Sequence, residues 1–361
     1  MINKRLIQIL TIFTLLLPLG AGAQNVVYDK LNQFGEKVDE IQDKTVGTVK
    51  EKVGFLKGAM QTVDRIRGVN DYDSLYIGRI RKRFTVKAKT VFSGVDIDSK
   101  NSTEEIPFKE FDSETMSLGI GASISFKGFE LGYTYTPFSQ KNHSTTRTYS
   151  LVNYGPRFCF DAMLSTTSSM DGDVFLNGEW VGIAPDLLSH RSLFISMCYN
   201  LNHRKFSYPA AFSASYIQKK SAGSVLLAGT FANSRYVVHP LEGINQHKAR
   251  TRFLASCLGG GYGYNYVTPR GWLLHGSAIA ETALMDVTRG LLDSPTPFKV
   301  SGNDFAVIVI PRLAAIKNFH RDRMYLQFTS YGFWISTLSK NNGVSYSQFR
   351  WDTRAVFGYR F

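Results

Sequence analysis

Beyond residue 23 this 361-residue chain has no apolar run near the ~18 consecutive residues that a membrane-crossing helix requires, which excludes a helical membrane protein. Cysteine is scarce. Cys159, Cys198 and Cys257 are odd in number, match no zinc spacing and each lie in a strand-like segment, so neither a disulfide framework nor a metal centre is expected. Walker, dinucleotide-binding and EF-hand signatures are missing as well. The glycine-rich GGGYGYNY at 259–266 is not a phosphate loop, because it sits in a strand-like run with Tyr262, Tyr264 and Tyr266 on one face. No cofactor is expected.

What is present begins with a leader. Lys4 and Arg5 precede an apolar stretch from Leu6 to Leu19, and Ala21-Gly22-Ala23 fits a small-residue cleavage site before Gln24. Residues 1–23 read as a secretory signal peptide cleaved near Ala23. The formal net charge of +13 falls by two with this leader, which holds no acid. An exported basic chain meets anionic headgroups or solute anions, and no nucleic-acid partner is expected.

Over residues 24–70 the apolar positions recur at helical spacing: Val27, Leu31, Phe34, Val38, Ile41, then Val49, Val53, Leu56, Met60 and Val63, with a stutter near Thr45. The reading is a periplasmic amphipathic helical segment. Three placements stay open for it: packed beside the main domain, paired as a coiled coil, or plugged into a lumen. A periplasmic partner could bind it.

From Arg83 the period changes to two. Met116, Leu118, Ile120, Ala122, Ile124 and Phe126 alternate with serine and glycine. After Lys127-Gly128, Phe129, Leu131, Tyr133 and Tyr135 alternate with Glu130, Gly132, Thr134 and Thr136. One face of this hairpin carries no polar group except tyrosine hydroxyls, which suits lipid and not water. With 84–92, 115–126 and 129–137, similar segments at 146–154, 157–164, 191–201, 224–235, 250–267, 271–284, 304–317, 322–337 and 345–361 complete a set of twelve. The fold class is therefore all-β, a transmembrane antiparallel β-barrel of about 12 strands over 71–361, preceded by the N-terminal amphipathic helical segment. The connections 93–114 and 165–190 read as long outer loops. Pro311 falls inside a strand and predicts a bulge.

Tyr208 to Gln218 would make a thirteenth strand. An even count with both ends on the periplasmic side excludes it, and Pro209 suits a strand poorly. His203 to Ser224 is instead expected to be a periplasmic-side insertion, or a segment folded into the lumen, carrying Arg204, Lys205, Lys219 and Lys220.

These stretches also carry a resemblance. The leader, DSLYI at 73–77, KFSYPAAFS at 205–213 with QKKSAGS at 218–224, and the aromatic end together resemble a family of Bacteroidetes outer-membrane proteins, domain of unknown function 4421. The resemblance covers roughly Tyr72 to Phe361, and KFSYPAAFS with QKKSAGS is its specific part. It implies a barrel in the outer membrane of a Gram-negative cell, and it supplies no reaction and no catalytic residue. Phe357, Tyr359 and Phe361 look like the terminal signal read by the barrel assembly machinery. Outer-membrane lipids and lipopolysaccharide are the other partners this placement implies.

Alternation assigns Lys87, Lys89, Glu130, Arg323, Arg350, Asp352, Arg354 and Arg360 to the lumen. There they form either a closed salt-bridged filling or a narrow anion-preferring pore. The segment 93–114 holds seven acids, Asp96, Asp98, Glu104, Glu105, Glu110, Asp112 and Glu114, and reads as a solvated loop or a divalent-bridged contact to lipopolysaccharide. His275 and Ser277 share a strand face with Glu281, the spacing of a base beside a serine nucleophile. Ala278 follows where such lipid-hydrolase motifs carry Asn, and the face is luminal. The leading function is a non-enzymatic barrel, either a small-solute channel or a structural or docking protein. The alternative is a phospholipid or lipopolysaccharide deacylase using His275 and Ser277.

Overall fold

Period-two sequence becomes strand almost everywhere. The computed structural model describes residues 64–65, 68–80, 84–101, 110–126, 128–139, 145–176, 179–240, 248–293, 298–302, 305–319, 322–338 and 344–361. The leader and the helical periodicity up to Val63 lie outside the described residues.

Numbered in chain order, twelve strands build the barrel: β2 (Phe84–Asn101), β3 (Glu110–Phe126), β4 (Phe129–Ser139), β5 (Thr146–Tyr154), β6 (Phe158–Leu176), β7 (Glu179–Asn200), β9 (Ala222–Val238), β10 (Lys248–Val267), β11 (Trp272–Asp293), β13 (Phe305–Phe319), β14 (Met324–Leu338) and β15 (Val344–Arg360). Three short strands stand outside this ring. β1 (Ile77–Arg79) pairs with β8 (Tyr216–Gln218), and β12 (Phe298–Gly302) extends the hairpin at the end of β11. All ring pairings are antiparallel, and β15 returns to pair with β2 from Val344↔Asn101 to Arg360↔Thr85. Closure leaves no ring strand with an unbonded edge, the condition for a sheet in hydrocarbon.

The two faces are inverted relative to a water-soluble barrel. Ile120 is 63% exposed, and Ile124, Leu131, Leu227, Leu258, Leu313 and Phe357 also stand on the outer surface. Ser123, Ser125, Thr134, Thr230, Arg312 and Asp352 are buried inside. Tyr262, Tyr264 and Tyr266 all point outward. Such a surface is stable against lipid and not against water. Replacing Ile120 by Arg should therefore destabilise the barrel by about 2–4 kcal/mol in lipid vesicles. Urea titration of the vesicle-embedded variant checks this. An unchanged midpoint would mean that Ile120 faces water.

Two expectations need correction. The stretches 93–114 and 165–190 are largely strand, since β2 reaches Asn101, β3 begins at Glu110, and β6 and β7 pair out to Leu176↔Glu179. Charged and small residues break the apolar alternation over these stretches while backbone pairing continues. Asp96, Asp98, Glu110, Asp112 and Glu114 are thus strand residues, and Glu104 and Glu105 lie outside the described residues. Pro311 causes no bulge. The β13–β14 register is the same at Val309↔Trp334 and Arg312↔Tyr331, with only the ladder between them interrupted. Gly332 makes room for the ring, because a Cβ there would fall 2.8 Å from Pro311 Cγ.

Both barrel ends of the chain, Phe84 and Phe361, meet at one rim, where the Phe361 amide donates to the Phe84 carbonyl at 2.9 Å. Gly128 (φ 86°) and Gly271 (φ 76°) sit in turns at this near rim. The connection from β7 to β9 starts here too, and it enters the barrel.

Candidate functional site

The β7–β9 connection does not form an outer turn. Ser207 caps a single helical turn, α1 (Tyr208–Phe212), accepting the Ala210 amide at 3.2 Å, and Pro209 lies in the first turn, where no amide hydrogen is required. Phe206, Tyr208, Ala210 and Ala211 are buried within the barrel. A chain inside a lumen must satisfy its backbone from the walls, and the walls do so at each end of α1.

At the C-terminal end, Gln327 Nε2 donates to the carbonyls of Ala211 (2.6 Å) and Phe212 (3.1 Å). Lys87 Nζ donates to Ser213 O at 3.2 Å and Arg360 Nη2 to Ala214 O at 2.8 Å. These are the carbonyls that a helix end leaves without partners. Ala214 adopts a left-handed conformation (φ 56°) to turn the chain back out. On the other side, Gln218 is a hub. Its Oε1 accepts from the Ser207 amide (2.8 Å) and Asn265 Nδ2 (2.9 Å), and its Nε2 donates to the carbonyls of Lys205 (2.6 Å) and Lys220 (2.8 Å). Asn200 Nδ2 donates to Pro156 O and Phe206 O, both at 2.9 Å.

Asn265 also reaches His275. Asn265 Oδ1 can only accept, so His275 Nδ1 carries the proton of the 2.7 Å bond between them. Nε2 is then left to accept from the Ser277 hydroxyl at 3.0 Å. The sequence pair is therefore joined, and Asn265 is a third member that the sequence did not flag. The rings of Phe206, Tyr208 and Phe212 surround His275 with centroids 5.9, 5.4 and 4.8 Å away. Glu281 is buried on the same strand, and among the described residues no hydrogen bond joins it to either partner.

The insertion's cations turn toward the segment before the barrel. Asp71 binds Arg157, His203 Nε2 (3.0 Å) and Arg204 Nε (3.0 Å). Lys205 and Lys220 lie over the Tyr76 ring at 5.3 and 5.6 Å, and Lys219 Nζ donates to Ser74 O at 2.8 Å. With the β1–β8 pairing, these contacts strap residues 71–79 onto the plug.

Hydrogen bonds from Arg204, His203 and Arg157 hold the Asp71 carboxyl down at about 2. A folded value below the unfolded one (~3.9) contributes stability that is complete above the unfolded value and fades as pH falls toward the folded one. The strap should therefore stay shut at neutral pH and loosen between roughly pH 4 and pH 2. Asp71→Asn should cost about 1–2 kcal/mol of strap stability after solvent screening, a five- to thirty-fold rise in opening. The rate of tryptic cleavage after Arg79 at neutral pH measures this, and a rate equal to wild type would show that Asp71 holds nothing.

Deeper in the lumen the charges pair: Arg312 with Asp161 from the opposite wall (3.1 Å), Lys87 with Glu130 two strands away (2.5 Å) and Arg354 with Asp352 on its own strand (2.6 Å). Lys89 and Arg350 also project inward. Arg323 does not. It stands exposed in the β13–β14 turn, because β14 begins only at Met324 and the alternation has not yet started. Phe357 and Phe361 face outward at the near rim, with Tyr359 packed on Phe361 at 4.8 Å. The three cysteines are buried and form no disulfide.

A family description, Domain of unknown function (DUF4421), matches residues 71–361. The chain belongs to the DUF4421 family. The matched block opens at Asp71, so in this DUF4421 domain the strap, the plug and the barrel form one unit. No curated protein matches the sequence. Among solved structures, the chain is similar to the beta domain of the Bordetella autotransporter BrkA (14% identity, 77% of this chain and 100% of that one, TM-score 0.38). It is also similar to the outer membrane protease OmpT from Escherichia coli (10%, 77% and 97%, 0.33) and to the translocator domain of the autotransporter NalP from Neisseria meningitidis (12%, 88% and 100%, 0.32). No role is taken from likenesses this distant.

Proposed function

We propose that this chain is an outer-membrane β-barrel closed from within, a non-enzymatic protein that keeps a sealed lumen at rest. The near rim faces the periplasm, and the strap links the plug to the segment that precedes it. The observation that carries this reading is α1 with the turn after it, buried in the lumen, where Gln327, Lys87 and Arg360 of the wall bind the Ala211, Phe212, Ser213 and Ala214 carbonyls that a pore would leave to water. The two buried rings, Phe206 and Tyr208, at about 1.5–3 kcal/mol each, and several bonds near 1 kcal/mol each favour the closed state over thermal opening. A small-solute channel would then need the plug displaced, and a docking role would use the strap. Fractionation tests the placement. The protein should sediment with the outer membrane and change gel mobility on boiling, and recovery in the soluble periplasm would sink the proposal.

One observation favours a second reading. The Asn265–His275–Ser277 chain has the connectivity of a base held by an amide beside a nucleophile. That reading predicts phospholipid or lipopolysaccharide deacylation lost in Ser277→Ala. The closed-barrel reading predicts no turnover from wild type or variant, with the three residues serving to hold the plug.

A further inference from the structure

Above the plug the lumen keeps a cavity of about 110 Å³. Phe212 of α1 and Gln327, which binds α1's last carbonyls, belong to its lining. Four cations line it, Lys87, Lys89, Arg312 and Arg354, against three carboxylates, Glu130, Asp161 and Asp352. Each carboxylate is already engaged. Glu130 takes Lys87 and the Ser123 hydroxyl (2.8 Å), Asp161 takes Arg312 and the Tyr154 hydroxyl (2.7 Å), and Asp352 takes Arg354. Lys89 is left over: among the described residues it has no ion pair within 4 Å and no hydrogen-bond partner, and Glu130 and Asp352 attract it only from further away. The wall is nevertheless cut back to admit it. A Cβ on Gly121 would fall 2.6 Å from Lys89 Cε, and one on Gly132 would fall 3.1 Å from Lys89 Nζ.

A partly buried ammonium with no carboxylate in direct contact is costly, and a bound anion lowers that cost. Ser150 and Thr329 add hydroxyl donors to the same walls. Chloride could neutralise Lys89, but it would use few of these donors, whereas a tetrahedral oxyanion offers several acceptor oxygens. The cavity has room for such an ion. We propose that the lumen of this barrel binds one small oxyanion, of phosphate or sulfate type, at Lys89 beside Arg354. The assignment holds for a silent barrel as well as for a conducting one.

The test uses the full chain folded in zwitterionic detergent, its fold checked by gel mobility before boiling. Inorganic phosphate is titrated by calorimetry against constant chloride. One saturable site is expected, weakened on the order of tenfold or more in Lys89→Gln, a lost charge-assisted bond being worth about 1.5–3 kcal/mol. Lys89→Arg should retain binding. Gly132→Ala keeps every charge but crowds Lys89 Nζ and should also weaken it, which keeps the test open if Lys89→Gln misfolds. The pair Arg270→Gln and Arg323→Gln, exposed on the near rim, should bind like wild type. Phosphatidylglycerol in mixed micelles should not compete. Absence of saturation, equal binding by Lys89→Gln, loss in the rim pair, or competition by the lipid would each overturn the assignment.

Discussion

Loosening the plug should turn a silent barrel into a conducting one. In a planar bilayer the wild-type chain is expected to show baseline current, because α1 and its flanking turns fill the near half of the lumen. Gln218→Ala with Asn265→Ala removes the hub that ties Ser207, Lys205 and Lys220 to the wall. The Ser207 amide and carbonyl that these amides serve are buried, and leaving them unpaired costs about 1–3 kcal/mol each. Two such losses, roughly 2–6 kcal/mol, should raise the open fraction by a factor of roughly 30 to 20,000. Discrete current steps should appear, with anions preferred, since Lys87, Lys89, Arg312 and Arg354 outnumber the acids beside them. Replacing residues 206–217 by a short glycine-serine linker should open the lumen permanently. Silence from both variants would mean that the far half closes the barrel without the plug.

Removing Arg312 should cost more stability than any other single change considered. Its guanidinium is buried, donates to Asp161 from both Nη1 and Nη2 at 3.1 Å, and lies 4.8 Å from the Tyr331 ring centroid and 5.8 Å from that of Tyr208 in the plug. Arg312→Ala strands the Asp161 carboxylate with the Tyr154 hydroxyl as its remaining partner, and breaking a buried pair in this way costs about 3–5 kcal/mol. The double change Arg312→Met with Asp161→Leu should recover most of that loss, because apolar packing often replaces a buried pair without penalty. Equilibrium urea unfolding in detergent or vesicles reads both. A double variant as unstable as Arg312→Ala would place the loss in shape and not in the stranded charge.

The strands were legible because lipid imposes a one-sided rule. Ile120 and Ser123 differ by which solvent they meet, and period-two hydropathy records that difference directly. The rule stops where charged and small residues break the alternation, so the outer halves of β2, β3, β6 and β7 read as loops. The parity of the strand count placed His203 to Ser224 at the near rim without saying what it does there. Ser207-Tyr208-Pro209 carried the signal of a helix start, a capping hydroxyl with proline in the first turn, and it was set aside as a poor strand. Lys87 and Arg360 were legible as luminal but not as plug contacts, since the carbonyls they bind lie 126 and 146 residues away in sequence. Gln327 and Asn265 gave no warning: an amide inside a barrel strand looks like any other inward polar residue until its partner is known.

The account depends on one arrangement, with lipid against the apolar rows and a filled polar interior behind them. Nitroxide labels along β3 test it most directly, on a chain whose Cys159, Cys198 and Cys257 have been changed to Ala. Labels at Leu118, Ile120 and Ile124 in vesicles should relax with membrane-dissolved oxygen and ignore an aqueous nickel chelate. Labels at Ser117, Ser123 and Ser125 should be shielded from the oxygen. Equal access of the nickel chelate to both sets would contradict the arrangement.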